Sequence, residues 1–184
     1  AVVNLIGADG YRDLVARTVD ATAEVARGIE AIDHLHLVEQ PETSLVVLGA
    51  DDALDVFTLS DLMLDRGWFV QPQMQFAGEP ANLHLTLCAA TAESVPQFLS
   101  ALAEAVTEAV ARGPIQIDPL LAQAAASLDP DSLDDEAFDG LLAIAGLAGE
   151  GGKVQAPERL GQVNALLDVA SPEVREALLV AFLD

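Results

Sequence analysis

Three histidines are the side chains that most readily suggest a metal site in this sequence. His34 and His36 are separated by one residue in a segment of alternating polarity, so both would lie on one face of a strand. His84 occurs in a second alternating segment and would join them if the two strands were neighbours. Three imidazoles can bind zinc, but a His-x-His pair in a strand has low specificity. We therefore interpret these histidines as half-exposed strand residues and predict no metal site.

Other reactive side chains also lack the partner residues that catalysis requires. Asp51, Asp52 and Asp55 are close enough to bind a cation, but the glycine and terminal glutamate of a calcium loop are missing, so the start of a helix is the simpler interpretation. Cys88 falls in an alternating segment, where cysteine is usually a small inert side chain. No Gly-x-Ser-x-Gly sequence is present. The residues alone predict no self-contained catalytic site.

Charge and composition exclude several classes of function. The 184 residues include 30 acidic and 8 basic side chains, a formal net charge of −22, and 52% of them are hydrophobic. Such a chain can build a core, but its surface would be repelled by nucleic acids and by anionic membranes. No apolar segment approaches the roughly 20 residues that span a bilayer, and no signal peptide is recognisable. A single cysteine cannot form an intramolecular disulfide, so we expect a cytoplasmic protein.

The pattern of apolar residues predicts an α/β fold. The first predicted element is an amphipathic helix over Gly10–Glu30 with Asp9 as its N-cap. The others are strands 34–38 and 44–49, a helix opened by Asp51-Asp52 and ended by Gly67, a strand starting at Trp68 that Pro72 confines to an edge, a strand around Leu83–Leu87, and a helix capped by Thr91. This order describes a mainly antiparallel four-stranded sheet packed by helices, an α+β sandwich.

The character of the chain changes after Gly113-Pro114. Asp118-Pro119, Asp129-Pro130 and Ser171-Pro172 each place a capping residue before a proline at the first helical position, which predicts short helices. A glycine-rich interruption follows between positions 146 and 152. We therefore predict two parts: residues 1–113 form the α/β domain, and residues 114–184 form an acidic, all-helical extension.

Three segments carry a resemblance to a known family. They are Leu5–Tyr11, Ser60–Trp68, and the pair formed by Gln75-Phe76 and Leu83–Thr86. In this order they resemble the C-terminal small domain of the pyridoxal-phosphate-dependent group II decarboxylases and sphingosine-phosphate-lyase-like enzymes, which have fold type I. The histidine at position 84 resembles the lyase branch in particular. Glutamate decarboxylases would be expected to carry an arginine nearby, and none lies between Arg66 and Arg112.

The resemblance implies a function for the complete enzyme. It implies decarboxylation or retro-aldol cleavage of a small amino-acid or amine substrate, with pyridoxal 5′-phosphate as the electron sink. The small domain would close over the active-site cleft, and His84, Gln75, Trp68 and Gln71 are the candidate residues facing the substrate. The resemblance also implies a homodimer.

The same resemblance implies that an essential residue lies elsewhere. The family binds its cofactor through a lysine of the large domain, whereas Lys153, the only lysine of this chain, lies beyond the resembling segments. We therefore expect no catalytic and no cofactor-binding residue in this chain, a large cofactor domain as its missing partner, and no activity of the 184 residues alone.

Two other interpretations stay open. The chain could be a stand-alone α/β regulatory or interaction module without catalytic activity, or residues 114–184 could be an acidic platform for a basic partner. A part of a larger enzyme should expose an apolar face and self-associate, whereas a module should be monodisperse and bind its ligand alone.

Overall fold

The computed structural model describes residues 2–127 and 160–183 of the chain. They belong to two compact units. The first comprises Ala1–Gln73 and Asn82–Pro114, and the second comprises Met74–Ala81 and Ile115–Asp184. The short segment 74–81, which the sequence analysis assigned to the α/β part, is therefore grouped with the helical one.

The first unit contains the predicted alternation of helices and strands. Its elements are α1 (Val2–Glu30), β1 (Leu35–Leu37), β2 (Leu45–Ala50), α2 (Val56–Asp65), β3 (Gln71–Gln73), β4 (Asn82–Thr86), a 3₁₀ turn (Ala92–Ser94) and α3 (Val95–Arg112). The α/β class is confirmed. The strand from Trp68 starts later than predicted, at Gln71, and it contains Pro72.

All four strands form one antiparallel sheet in the order β1-β2-β4-β3. Pro72 therefore lies in an edge strand, as predicted. Proline has no backbone N–H group to donate, and an edge strand tolerates this because it has a neighbouring strand on one side only. One face of the sheet supplies the core, because Val46, Leu48 and Leu83 are completely buried. Buried residues of the three helices complete this core, among them Val25, Ile29, Leu59, Met63, Leu102 and Val106.

The predicted caps at Asp9 and Thr91 are wrong, and the helix predicted to open at Asp51-Asp52 begins later, at Val56. Asp9 lies inside α1, which begins at Val2 and is interrupted at Gly7, where φ is 67°. Asp51 and Asp52 precede α2 without capping it. Asp51 accepts hydrogen bonds from the Ala53 N–H and the His34 ring, and these contacts lower the pKa of its carboxyl group.

The residues that do begin these helices differ from the predicted ones. Asp55 is the N-cap of α2 and accepts hydrogen bonds from the Thr58 N–H at 2.7 Å and hydroxyl at 2.8 Å. Thr91 makes no capping hydrogen bond to the helix that follows. Its hydroxyl instead donates to the Cys88 carbonyl at 2.9 Å and accepts from the Cys88 N–H at 3.1 Å. A serine, threonine or aspartate near a helix start can therefore stabilise the preceding turn instead.

In the second unit, the described helices are α4 (Pro119–Ala126), α5 (Gly161–Val169) and α6 (Pro172–Leu183). Ala125, Ala170 and Val174 form a small buried cluster to which Leu166 and Val169 also contribute. The predicted helix start at Asp129-Pro130, the glycine-rich interruption and Lys153 lie outside the described residues. Among the helices that are described, none is long and apolar enough to cross a membrane.

The cap of α2 gives a direct stability test. Asp55→Ala removes the acceptor of two hydrogen bonds at a helix start, so we expect the free energy of unfolding to fall by about 0.5–2 kcal/mol. Asp52→Ala is the matched control, because Asp52 is exposed, and it should change stability by less than about 0.5 kcal/mol. Urea unfolding followed by circular dichroism measures both. An equal loss in the two variants would contradict the assignment of Asp55 as the cap.

The close contact between α1 and α3 gives a second test. A Cβ atom at Gly28 would clash with the terminal methyl groups of Leu99, so Gly28→Ala should cost about 1 kcal/mol despite the higher helix propensity of alanine. In a Leu99→Ala background the steric conflict is absent, and the same substitution should stabilise the protein. Urea unfolding of the four proteins in this cycle measures the change of sign. Stabilisation in both backgrounds would show that Leu99 moves aside without cost.

Candidate functional site

A cavity of about 270 Å³ lies in the first unit beside the end of β4. β3 pairs with β4 only as far as Gln71, whose partner is His84, so no described strand covers the next part of that edge of β4. The chain entering β3 and the first turns of α3 form the other walls. The lining residues are Val25, Trp68, Phe69, Gln71, His84, Leu85, Thr86, Leu87, Thr91, Ser94, Val95 and Phe98.

The apolar wall of the cavity is built from two aromatic rings. Trp68 and Phe98 meet edge to face, with ring centroids 5.4 Å apart and planes at 79°. Gly67, at φ 81°, ends α2 in the left-handed conformation that was predicted, and the Trp68 N–H then donates to the Met63 carbonyl at 2.9 Å. This turn holds Trp68 against α3. Trp68 is half-buried, and the neighbouring Phe69 is 78% exposed.

The polar wall comes from the open face of the sheet. His84 lies between Val47 of β2 and Gln71 of β3 in the register of the sheet, so the imidazole and the Gln71 amide are direct cross-strand neighbours. His84 is half-buried and Gln71 is exposed. Both side chains can donate and accept hydrogen bonds at the cavity.

Three candidate residues from the sequence, Trp68, Gln71 and His84, therefore line one cavity. The sequence analysis did not identify Thr86, Thr91, Ser94 or Phe98 as lining residues. Thr91 was predicted only as a helix cap, and the periodicity of a sequence shows which residues face a core but not where that core opens.

The fourth candidate, Gln75, lies in the second unit, where it bonds to the helices of that unit. Its backbone N–H donates to Asp168 Oδ1 at 2.6 Å, and its side-chain Nε2 donates to the Asp168 carbonyl at 2.7 Å. Its carbonyl accepts from both Nη atoms of Arg175 at 3.1 Å. The structure thus does not place Gln75 among the residues that line the cavity of the first unit.

The histidines do not form a metal cluster in the structure. His34 precedes β1, has a φ of 72°, and its Nδ1 lies 2.9 Å from Asp51 Oδ2. His36 pairs with Gly49 in the sheet, away from the His84 position. Within residues 2–127 and 160–183, no group of three histidine, cysteine, aspartate or glutamate side chains could hold a metal ion.

Cys88 lies just beyond β4 and is exposed, so its predicted place inside an alternating strand is wrong. Hydrogen bonds from the backbone and hydroxyl of Thr91, and from the backbone of Ala90, lower the pKa of the Cys88 thiol. It is not one of the residues that line the cavity.

Asp168 gives a pH-dependence test. Burial raises the pKa of its carboxyl above the ordinary 3.8, against the opposing effects of the Gln75 N–H and Arg175. A raised pKa means that the folded state holds this proton more tightly than the unfolded chain, so the contribution of the group to stability falls as pH rises through the folded pKa. Asp168→Asn, which does not titrate, should therefore gain stability relative to the wild type as pH rises from below the ordinary value towards neutrality.

Urea unfolding of both proteins across this pH range measures the difference, in which the contributions of all other carboxylates largely cancel. A difference that moves in the opposite direction would show that Arg175 and the Gln75 N–H outweigh burial at this carboxyl group.

Comparison with known proteins identifies a matching family model and several relatives of this chain. Residues 119–184 match the family described as "Pyridoxal-dependent enzyme, C-terminal putative HTH domain", where HTH denotes helix-turn-helix. Sphingosine-1-phosphate lyase of Oryza sativa subsp. japonica is 27% identical over 116 residues, which is 62% of this chain and 21% of the relative. Sphingosine-1-phosphate lyase of Drosophila melanogaster is 34% identical over 85 residues, or 46% of this chain and 15% of the relative.

Two solved structures share the fold. Sphingosine-1-phosphate lyase of Burkholderia pseudomallei aligns with a TM-score of 0.53 and 21% identity over 60% of this chain and 24% of that protein. Glutamate decarboxylase of Lactobacillus brevis aligns with a TM-score of 0.54 and 19% identity over 63% of this chain and 27% of that protein. The chain spans about a fifth of the length of the plant lyases it matches. The resemblance seen in the sequence is confirmed, because the chain is homologous to the C-terminal region of pyridoxal-dependent enzymes.

Proposed function

We propose that this homologue of the C-terminal region of pyridoxal-dependent enzymes is part of a carbon–carbon lyase and that its first unit closes the substrate cleft. The observation that carries the proposal is the cavity in which Trp68, Gln71 and His84 come together. It supports the proposal because a cleft needs an apolar wall and a few convergent polar groups, and this cavity has both.

The residues of the cavity suggest what they would contact. Trp68 and Phe98 would pack against the hydrocarbon part of a small amino-acid or amine substrate. The His84 imidazole and the Gln71 amide would hydrogen-bond to its polar groups and orient it. No arginine occurs between Arg66 and Arg112, so this stretch offers no guanidinium for a second substrate carboxylate. That favours the sphingosine-phosphate-lyase-like branch over glutamate decarboxylases.

The described residues do not provide the attachment that pyridoxal phosphate needs. Pyridoxal phosphate would supply an electron sink for the reaction and would be anchored by a lysine amine. Lys153, the only lysine of the chain, lies outside the described residues, so none of the residues described can bind the cofactor covalently. In this proposal a larger part of the enzyme holds the cofactor, this chain alone is inactive, and the complete enzyme is a cytoplasmic homodimer.

The first test is the absorbance spectrum and intact mass of the protein isolated from its native host. A visible band that hydroxylamine removes, on a chain much longer than 184 residues, would support a pyridoxal-phosphate enzyme of which this is one part. A native chain of 184 residues without a visible band would overturn the proposal and favour a stand-alone module.

The cleft assignment is tested in the complete enzyme with two histidine variants. We expect His84→Ala to lower kcat/KM for lyase cleavage about 10- to 100-fold, because a group that binds or moves a proton at the substrate is lost. His36→Ala is the matched control, since His36 is exposed on the same sheet face but does not line the cavity. It should leave kcat/KM within about twofold.

Sphingosine 1-phosphate and L-glutamate would be the probe substrates for these measurements. Cleavage of the first assigns the enzyme to the sphingosine-phosphate-lyase-like branch, and decarboxylation of the second with no cleavage of the first assigns it to the decarboxylase branch. Equal effects of the two histidine variants would show that the cavity does not face the substrate.

A further inference from the structure

The second unit holds a β-hairpin formed by residues 74–81. Phe76 and Glu79 pair as an isolated bridge through two backbone hydrogen bonds of 2.9 and 3.1 Å. Ala77 and Gly78 form the two-residue turn between them, with φ values of 52° and 91°, as a type I′ hairpin requires. A single bridging pair cannot hold such a hairpin in place, because isolated hairpins are marginally stable in water.

Among the described residues, four hydrogen bonds join Gln75 of this hairpin to the helices of the second unit. At the end of α5, the Asp168 carboxylate accepts a hydrogen bond from the Gln75 backbone N–H, and the Asp168 carbonyl accepts one from the Gln75 side-chain amide. In α6, both Nη atoms of Arg175 donate to the Gln75 carbonyl. A two-residue connection between α5 and α6 sets the spacing of the two charged residues. The Ser171 hydroxyl, which accepts from the Val174 N–H at 3.2 Å, fixes the start of α6.

The negative charge of residues 119–184 argues against DNA, the ligand that a helix-turn-helix usually binds. Residues 119–184 contain 12 acidic and 3 basic side chains, whereas DNA-binding helices neutralise phosphates with lysine and arginine. Arg175, which would be one of the few cations available, already donates two hydrogen bonds to the Gln75 carbonyl.

We propose that α5 and α6 are an intramolecular clamp for the 74–81 hairpin, and that this helix-turn-helix unit recognises a segment of its own chain in place of a nucleic acid. The clamp contacts the backbone of Gln75, since three of the four hydrogen bonds that Gln75 makes to α5 and α6 use its N–H and carbonyl groups. Asp168 and Arg175 are the positioning residues. Gln73 and Asn82, the residues bordering the hairpin, belong to β3 and β4, so the clamp acts on the loop that connects these two strands.

Amide hydrogen exchange of the full 184-residue chain, followed by NMR, tests the clamp. Asp168→Ala should accelerate exchange of the Gln75 amide at least about tenfold, because its acceptor is lost. Asp168→Asn keeps an acceptor oxygen and should stay near wild type. Glu176→Gln is the matched control on α6, where Glu176 is exposed, and should change nothing. The Asn164 amide, which bonds to the Leu160 carbonyl within α5, reports whether the helices remain folded.

Unchanged Gln75 exchange in Asp168→Ala, with the Asn164 amide still protected, would overturn the proposal. If Asp168→Ala unfolds the helices, Arg175→Lys is the variant that tests the clamp. Lysine keeps the positive charge but cannot donate to the Gln75 carbonyl from two nitrogens. We then expect severalfold faster Gln75 exchange, and no acceleration would overturn the clamp. Fluorescence anisotropy with a random-sequence DNA duplex at low salt should show no binding, and salt-dependent binding that Arg175→Gln weakens would contradict the proposal.

Discussion

The short edge strand β3 is the constraint from which the candidate site follows. Pro72 lies at the centre of its three residues, and proline can be accommodated there because this strand has a partner on one side only. Pairing with β4 therefore ends at Gln71 and His84, while β4 continues to Thr86. The gap this leaves beside β4 is lined by Trp68 and Phe98. A longer β3 would cover this edge of β4 and remove the opening.

The two faces of the sheet have different roles. On one face, Leu48 and Leu83 are completely buried, and burial of such side chains stabilises the fold by about 1.5–3 kcal/mol each. The other face carries His36, Val47 and His84 and can display polar groups without opening the core. A residue such as His84 can therefore have a chemical role while its strand neighbours Leu83 and Leu85 remain structural.

Sequence patterns predicted the elements better than the details that shape the site. Alternation around Leu83 identified a strand and the apolar spacing over Gly10–Glu30 identified a helix, because burial imposes a period of 2 or 3.6 residues. The caps predicted at Asp9 and Thr91 and the helix start predicted at Asp51-Asp52 were wrong, since several nearby residues can satisfy the same orphan N–H groups and only the three-dimensional turn decides among them.

Placement of the candidate residues shows the same limit. Trp68, Gln71 and His84 line one cavity because a sheet register joins two of them, and register depends on pairing between distant segments. Gln75 is only four residues from Gln71, yet it bonds to Asp168 and Arg175, which are 93 and 100 residues away in sequence. No local pattern carries that information.

Under the proposed function, the groups that bind the substrate and the groups that perform the chemistry lie in different parts of the enzyme. The cavity offers an imidazole, amide and hydroxyl groups and two aromatic rings, which can bind and orient a ligand but cannot stabilise a carbanion. Carbon–carbon lyase chemistry with pyridoxal phosphate needs an amine, and the chain has a single lysine outside the described residues. Under the proposed function this combination is expected, since a domain that only shapes the substrate side of a cleft needs no amine of its own. His84 and Gln71 would then determine which substrates fit, while a separate part of the enzyme determines which bond is broken.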